Sequence, residues 1–219
     1  MTANSVQLGS TVELGDSLFW FWVQFSLIIL GVAAGLCLLL IAGADVITRL
    51  GRERNTDALT GVLNRRGFEA AITSNLRNQR DTERSWALLC DVDHFKSIND
   101  QFGHAAGDIV LSDIARVIRR TVRGRDAVAR LGGEEFVIVM TGCSASEAYA
   151  MAERLRADIE ALRYEVLPPE RFVACSFGIA EFEPGEGLWS VIQRADESLY
   201  IAKRTGRNRT VAKGFALES

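Results

Sequence analysis

The sequence predicts an α+β domain preceded by one long apolar helix. Three observations lead there. The run Arg130-Leu131-Gly132-Gly133-Glu134-Glu135-Phe136, continuing into Val137-Ile138-Val139-Met140, reads as two antiparallel strands joined by a glycine turn. The apolar run Trp86-Ala87-Leu88-Leu89-Cys90 ends on Asp91 and reads as a buried strand. Around these lie segments whose apolar residues recur at helical spacing, so the expected sheet is mainly antiparallel with its helices packed to one side.

The first element is Leu18 to Gly43, which has no charged residue and only Gln24 and Ser26 as clearly polar side chains. At 1.5 Å per residue it exceeds a hydrocarbon core of about 30 Å, so residues 18–43 are expected to form a single transmembrane helix with Trp20 and Trp22 at an interface. Residues 1–17 carry Glu13 and Asp16 but no Lys or Arg, whereas Arg49, Arg52 and Arg54 follow the span. The positive-inside rule then gives a single-pass protein of the inner (cytoplasmic) membrane, with the C-terminal domain in the cytoplasm. A signal peptide cleaved near Ala42-Gly43-Ala44 and a helix packed in a soluble stalk are the competing readings. The lack of positive charge at the start and the length of the apolar run argue against the signal peptide. Gly31 and Gly35 would let two such helices approach closely. Ile47 and Leu50, at helical spacing, suggest a short linker helix over 44–56.

The following elements alternate. Phe68 to Leu76 reads as a helix, Trp86 to Asp91 as a strand, and Asp108 to Val122 as a helix whose core face is Ile109, Leu111, Ile114, Ala115 and Ile118. Val128 to Leu131 and Glu135 to Met140 flank the turn. Ser144 to Leu162 is helical, with Ser144 or Ser146 as N-cap. Phe172 to Phe182 reads as a central strand, Leu188 to Arg204 as the last helix, and residues 214–219 as a tail.

With 219 residues, 48% of them hydrophobic, the chain has room for one globular domain and an appendage. A net charge of −3 gives no footprint for nucleic acid. Cys37, Cys90, Cys143 and Cys175 show no metal-ligand spacing and read as small buried hydrophobes of a reducing compartment.

The chemistry lies in two acidic clusters. Asp91 falls where a strand ends and Glu134 and Glu135 fall at a hairpin, so adjacent pairing would gather carboxylates at one sheet end. Such a cluster repels itself without a cation, and hard oxygen ligands favour Mg²⁺. Lys96, Lys203 and Arg207 are candidates to neutralise phosphate, and Asn99 and Asp108 to read a base edge. A solvated hairpin tip would carry the same glycines and acids; the second cluster, Asp91 to Asp100, favours a site. Asp93 is expected to turn away from the cluster as a local hydrogen-bond acceptor, and His104 to shape the loop before a helix.

Five stretches, Asp57 to Arg66 (DALTGVLNRR), Asp91 to Asp108, Gly132 to Phe136, Ser176 to Ala180 and Ala195 to Asn208, resemble the GGDEF-family diguanylate cyclases in family order, here with GGEEF at the turn. The resemblance implies a palm-like nucleotidyl cyclase fold over residues 57–213 and condensation of GTP into cyclic di-GMP by a homodimer, each domain binding one GTP. It implies a pair of Mg²⁺ ions, or Mn²⁺, held by Asp91, the carbonyl of Val92, Glu134 and Glu135, with Glu135 also placed to activate the 3′-hydroxyl. Phe95 and Lys96 would contact phosphates through backbone amides, Asn99 and Asp108 would bind guanine, and Lys203 and Arg207, one helical turn apart, would grip the distal phosphates. Asp108 otherwise reads as a helix N-cap. Arg123-Gly124-Arg125-Asp126 resembles the family's RxxD inhibitory product site, with Arg154 adding a second guanidinium; a basic loop after a helix gives the same letters. A silent cyclic di-GMP receptor and a membrane-anchored interaction module are the other functions this fold allows, and a regulatory protein is a further expected partner.

Overall fold

The structure, a computed structural model, describes residues 19–41, 55–78 and 84–212. The chain divides into two compact units, Met1–Gly51 and Arg52–Ser219. The expected N-terminal segment, the linker helix up to residue 54 and the tail lie outside the described residues.

In the first unit, helix α1 (Phe19–Ile41) runs 23 residues with a mean hydropathy of 2.5, long and apolar enough to cross a membrane. Its aromatic residues gather at the N-terminal end, where the Phe21 and Phe25 rings stack at 6.2 Å and Trp22 meets Phe25 edge-on at 5.9 Å. The leucines of its other end are largely exposed within the unit. Cys37 lies among them on this helix. In the second unit Cys90 and Cys175 are buried as expected, while Cys143 is half-buried.

The second unit is built on strands β1 (Leu63–Asn64), β2 (Ser85–Val92), β3 (Ala127–Gly132), β4 (Glu135–Thr141), β5 (Cys175–Glu181) and β6 (Thr210–Ala212). They form one sheet in the order β1-β3-β4-β2-β5-β6. The four inner strands pair antiparallel, and the two short edge strands pair parallel. Helices α2 (Arg65–Asn78), α3 (Phe95–Phe102), α4 (His104–Thr121), α5 (Ala145–Glu160) and α6 (Leu188–Arg204) cover it.

These helices cover both faces, which corrects the one-sided arrangement expected. Trp86, Leu88, Cys90 and Val92 join a core with Val110, Leu111, Ile114 and Ile118 of α4 and Leu155 and Ile159 of α5. Ala87 and Leu89 join Phe68 and Ile72 of α2 and Val191, Ala195 and Leu199 of α6 on the opposite face. Alternating side chains of β2 therefore enter two cores, and every residue of the strand is buried. The α4 core face departs from expectation at one position: Val110 is buried and Ile109 is exposed. Ser144 is the N-cap of α5 and closes a capping box with Glu147, so the cap is Ser144 and not Ser146.

Candidate active site

Strand pairing brings the two acidic clusters together. Asp91 stands opposite Glu135 across β2 and β4, and the Val92 amide donates to the Glu134 carbonyl at 3.4 Å. The turn itself is Gly133-Glu134, flanked by the pair Gly132 and Glu135. Gly133 has φ +47, the left-handed conformation that a tight hairpin asks of its first turn residue and that glycine adopts at low cost. A Cβ on either glycine would meet nothing within 4 Å, so the outer side of the turn is open to a ligand.

The carboxylates share this sheet end without converging on one point. Among the described residues, no group of three acidic, His or Cys side chains stands close enough to hold an ion. The ammonium of Lys203, from the last turn of α6, instead lies 2.8 Å from Asp91 Oδ2. Burial pushes the Asp91 carboxyl up to about 6, Lys203 opposes the rise, and Glu134 and Glu135 add to it. Three acids against one cation leave a local excess of negative charge. The donors are all oxygens, so the set fits a hard divalent cation.

Sequence motifs at both flanks complete the frame. Asp57 accepts from the Thr60 amide and hydroxyl at 2.9 and 2.5 Å, and from Arg130 at 3.1 Å. Arg130 in turn donates from Nε to the Gly133 carbonyl at 2.9 Å. The DALT segment is thereby joined to the glycine turn, a link that sequence reading missed although both stretches were in view. The flanking groove, about 490 Å³, is lined by Asn64, Arg65, Arg66 and Gly132 among others. Arg65 stacks 4.2 Å over the Trp189 ring.

Downstream of Asp91, His94 takes a left-handed conformation and α3 begins at Phe95. The amides of Phe95 and Lys96 are the first of that helix, where an α-helix offers donors without intrahelical acceptors. The Phe95 ring is buried and the Lys96 side chain exposed. Asn99, on α3, faces Gly107 of α4 so closely that a Cβ there would lie 2.0 Å from Asn99 Oδ1. That oxygen is buried and lacks a hydrogen-bond partner among the described residues. Asp108, the next residue along, is exposed within α4, whose N-cap is Gly103. The N-cap alternative for Asp108 is thus wrong, and His104 is the first helical residue, not part of the preceding loop.

Two further expectations change. Arg207 is not one helical turn beyond Lys203, because α6 ends at Arg204 and Arg207 sits in the following turn with φ 63. Asp93 is buried and accepts from partners far along the chain, the Ser176 hydroxyl at 2.7 Å and the Asn208 amide at 2.9 Å. Arg123 and Asp126 lie in the loop after α4. The Arg123 guanidinium is 3.6 Å from Glu147, and the Asp126 carboxylate accepts the Arg123 amide at 3.0 Å. Arg154, on α5, pairs with Asp158 at 3.8 Å and lines a groove of about 290 Å³ with Arg120 and Thr121.

This arrangement, carboxylates at a glycine hairpin beside a helix N-terminus, agrees with the comparison to known proteins. The family described as diguanylate cyclase, GGDEF domain, matches residues 54–209. The chain belongs to the GGDEF-domain diguanylate cyclase family. The diguanylate cyclase DgcP of Pseudomonas aeruginosa is 43% identical over 155 residues, covering 70% of this chain and 23% of DgcP. The chain thus spans about a quarter of that relative's length. The coiled coil and GGDEF domain of DgcB from Caulobacter crescentus, solved with c-di-GMP, superposes with a TM-score of 0.75 at 31% identity, covering 82% of this chain and 96% of that one. The active GGEEF domain of a Vibrio cholerae diguanylate cyclase superposes with a TM-score of 0.61 at 30% identity over 70% of this chain and 98% of that one.

Proposed function

We propose that this chain condenses two molecules of GTP into cyclic di-GMP and releases two pyrophosphates. The observation that carries the reading is the pairing of Asp91 with Glu135 beside Lys203 and the first amides of α3. The GGEEF sequence of the active Vibrio domain supports glutamate at the third position of the motif. The product bound to the Caulobacter domain supports cyclic di-GMP as a ligand of this fold.

Asp91, Glu134, Glu135 and the Val92 carbonyl would hold Mg²⁺ or Mn²⁺, which when bound stabilises charge on the α-phosphate and on the leaving pyrophosphate. The amides of Phe95 and Lys96 take the phosphates at the positive end of α3. Asn99 and Asp108 hold the guanine edge, the carboxylate accepting from N1–H and the exocyclic amine. Lys203 and Arg207 grip the distal phosphates, so Lys203 leaves Asp91 when nucleotide enters. Glu135 would take the proton of the 3′-hydroxyl as that oxygen bonds to the α-phosphorus of the other GTP and the bond to pyrophosphate breaks.

One domain offers one nucleotide site, so two copies face each other and the enzyme acts as a homodimer. Helix α1 anchors each copy in the inner membrane with the domain in the cytoplasm, and pairing of the spans raises the effective concentration of the domains. Product binding by Arg123, Asp126 and Arg154 holds the domains apart from the productive arrangement.

The test is a dilution series of the unit Arg52–Ser219, which lacks α1. Cyclic di-GMP formation per subunit is expected to rise with protein concentration, because pairing has become bimolecular. Constant turnover per subunit from a species that stays monomeric contradicts the two-domain reaction.

A further inference from the structure

Asp93 is 7% exposed and uses both carboxylate oxygens, Oδ1 for the Ser176 hydroxyl and Oδ2 for the Asn208 amide. The Asn208 side chain reaches the other way. Its Oδ1 accepts from Arg156 Nη1 at 3.0 Å, and its Nδ2 donates to Glu160 Oε1 at 2.7 Å. Arg156 is itself fixed by Glu153 at 3.0 Å and Glu160 at 2.8 Å. One asparagine therefore ties the segment after α6 both to the end of β2 and to α5.

The conformation of that segment needs such a tie. Arg207 and Asn208 have φ 63 and 43, consecutive left-handed residues that both carry a Cβ. The Arg207 amide donates to the Ala202 carbonyl at 3.0 Å, and Gly206 has φ 130, the closure expected where a helix ends on glycine. Helix closure accounts for Gly206 and for the Arg207 amide. It does not require Asn208 to remain left-handed, and the bonds from Asp93, Arg156 and Glu160 are what hold it so. The Arg207 side chain is exposed between these two anchors.

We propose that Asp93 and Asn208 are positioning residues that aim the Arg207 guanidinium at the distal phosphates of a bound nucleoside triphosphate. The proposal rests on the reading of Arg207 as a phosphate ligand. The charge that develops as pyrophosphate leaves falls mainly on the oxygen next to the α-phosphorus and least on the terminal phosphate, so a misaimed Arg207 weakens binding and raises KM while changing kcat little. A residue that acts only through Arg207 has nothing to lose once Arg207 is gone.

The experiment uses the full chain in detergent with GTP and Mg²⁺, comparing wild type, Asp93→Ala, Arg207→Ala and the double variant. Asp93→Ala is expected to raise KM about tenfold with kcat within about twofold, and to add less than about twofold in the Arg207→Ala background. Asp93→Asn can still accept from the Asn208 amide while donating to Ser176, and should bring KM back to within about threefold of wild type. Asn208→Gly tolerates the left-handed φ but loses Arg156 and Glu160. It should raise KM as Asp93→Ala does, and it carries the test if Asp93→Ala fails to fold. Multiplying effects of Asp93→Ala and Arg207→Ala, or an unmoved KM in Asn208→Gly, overturn the proposal. The Kd of a non-hydrolysable GTP analogue, measured in parallel, separates the two readings. A wild type that binds the analogue but makes no product contradicts the reaction, and the same variants then judge the positioning role by Kd alone.

Discussion

The ammonium of Lys203 lies 2.8 Å from Asp91 Oδ2 and joins the last turn of α6 to the end of β2. It is the one cation paired with Asp91 among the described residues, and it is also a proposed phosphate ligand. On the proposed reading a metal would take over the charge that Lys203 offsets at Asp91 and nucleotide would take Lys203, an exchange of one pairing for two.

That exchange predicts the behaviour of Asp91→Asn. Burial raises the Asp91 carboxyl to about 6, so the folded state binds its proton more tightly than the unfolded chain does. This contribution favours the fold below the ordinary carboxylate range and is lost as pH rises through about 6. An amide has no charge to bury. The metal-free variant should unfold at or above the wild-type temperature at pH 7.5, with the difference shrinking toward pH 4, while turnover falls about a hundredfold or more. Thermal unfolding at the two pH values checks this; a midpoint clearly below wild type at pH 7.5 would show that the Lys203 pair outweighs the cost of burial.

Glu186 contributes to stability with the opposite pH dependence. Arg194 holds the Glu186 carboxyl down at about 2, aided by the Glu183 amide and the Ser190 hydroxyl. A depressed carboxyl stabilises the fold above its ordinary range, and that contribution is lost as pH falls toward about 2. Glu186→Gln should lower the unfolding temperature by about 2–4 °C at pH 6 and by progressively less on acidification. Equal losses at every pH would assign the effect to packing instead of charge.

Asp108→Asn should weaken GTP binding about tenfold, because an amide cannot present two acceptors to the guanine edge. Since Asp108 is exposed inside α4 and caps nothing, the variant should keep its wild-type unfolding temperature. Calorimetry with GTP decides the matter, and unchanged affinity would remove Asp108 from the base site.

For product control, Arg123 is held 3.6 Å from Glu147 and must turn from it to meet a ligand. Arg123→Ala should therefore sustain turnover as cyclic di-GMP accumulates, where wild type slows. Progress curves with added product check this, and identical curvature in both proteins would return the loop to a structural role.

Much of this is legible in the sequence. The last helix, Leu188–Arg204, matches its expected span to the residue, since its apolar positions repeat at helical spacing and a glycine follows. Residues 63–64 and 210–212 gave no such signal, because edge strands this short are defined by their partners more than by their own pattern. The two-sided core was readable in the unbroken apolar run Trp86 to Cys90, a pattern that marks a strand covered on both faces. Helix α3 hid inside a motif whose letters drew attention to chemistry, although Phe95, Ile98 and Phe102 are spaced for a helix.

The acidic cluster was legible because its members flank a recognisable turn. Its neighbours were less so. The contact of Lys203 with Asp91, and that of Asp93 with Asn208, join residues more than a hundred positions apart, and only the packing of α6 on the sheet brings them together. The left-handed turn at Arg207 and Asn208 likewise depends on tertiary partners, so helical spacing from Lys203 misplaced Arg207.

The most direct measurement is the product of GTP and Mg²⁺ incubated with the full chain and, side by side, with Glu134→Ala. Wild type should yield one cyclic di-GMP for every two pyrophosphates, and Glu134→Ala should lose about a hundredfold or more of that rate while keeping its fold. No cyclic di-GMP from the wild type, or a Glu134→Ala rate within about threefold of it, would contradict catalysis at this hairpin.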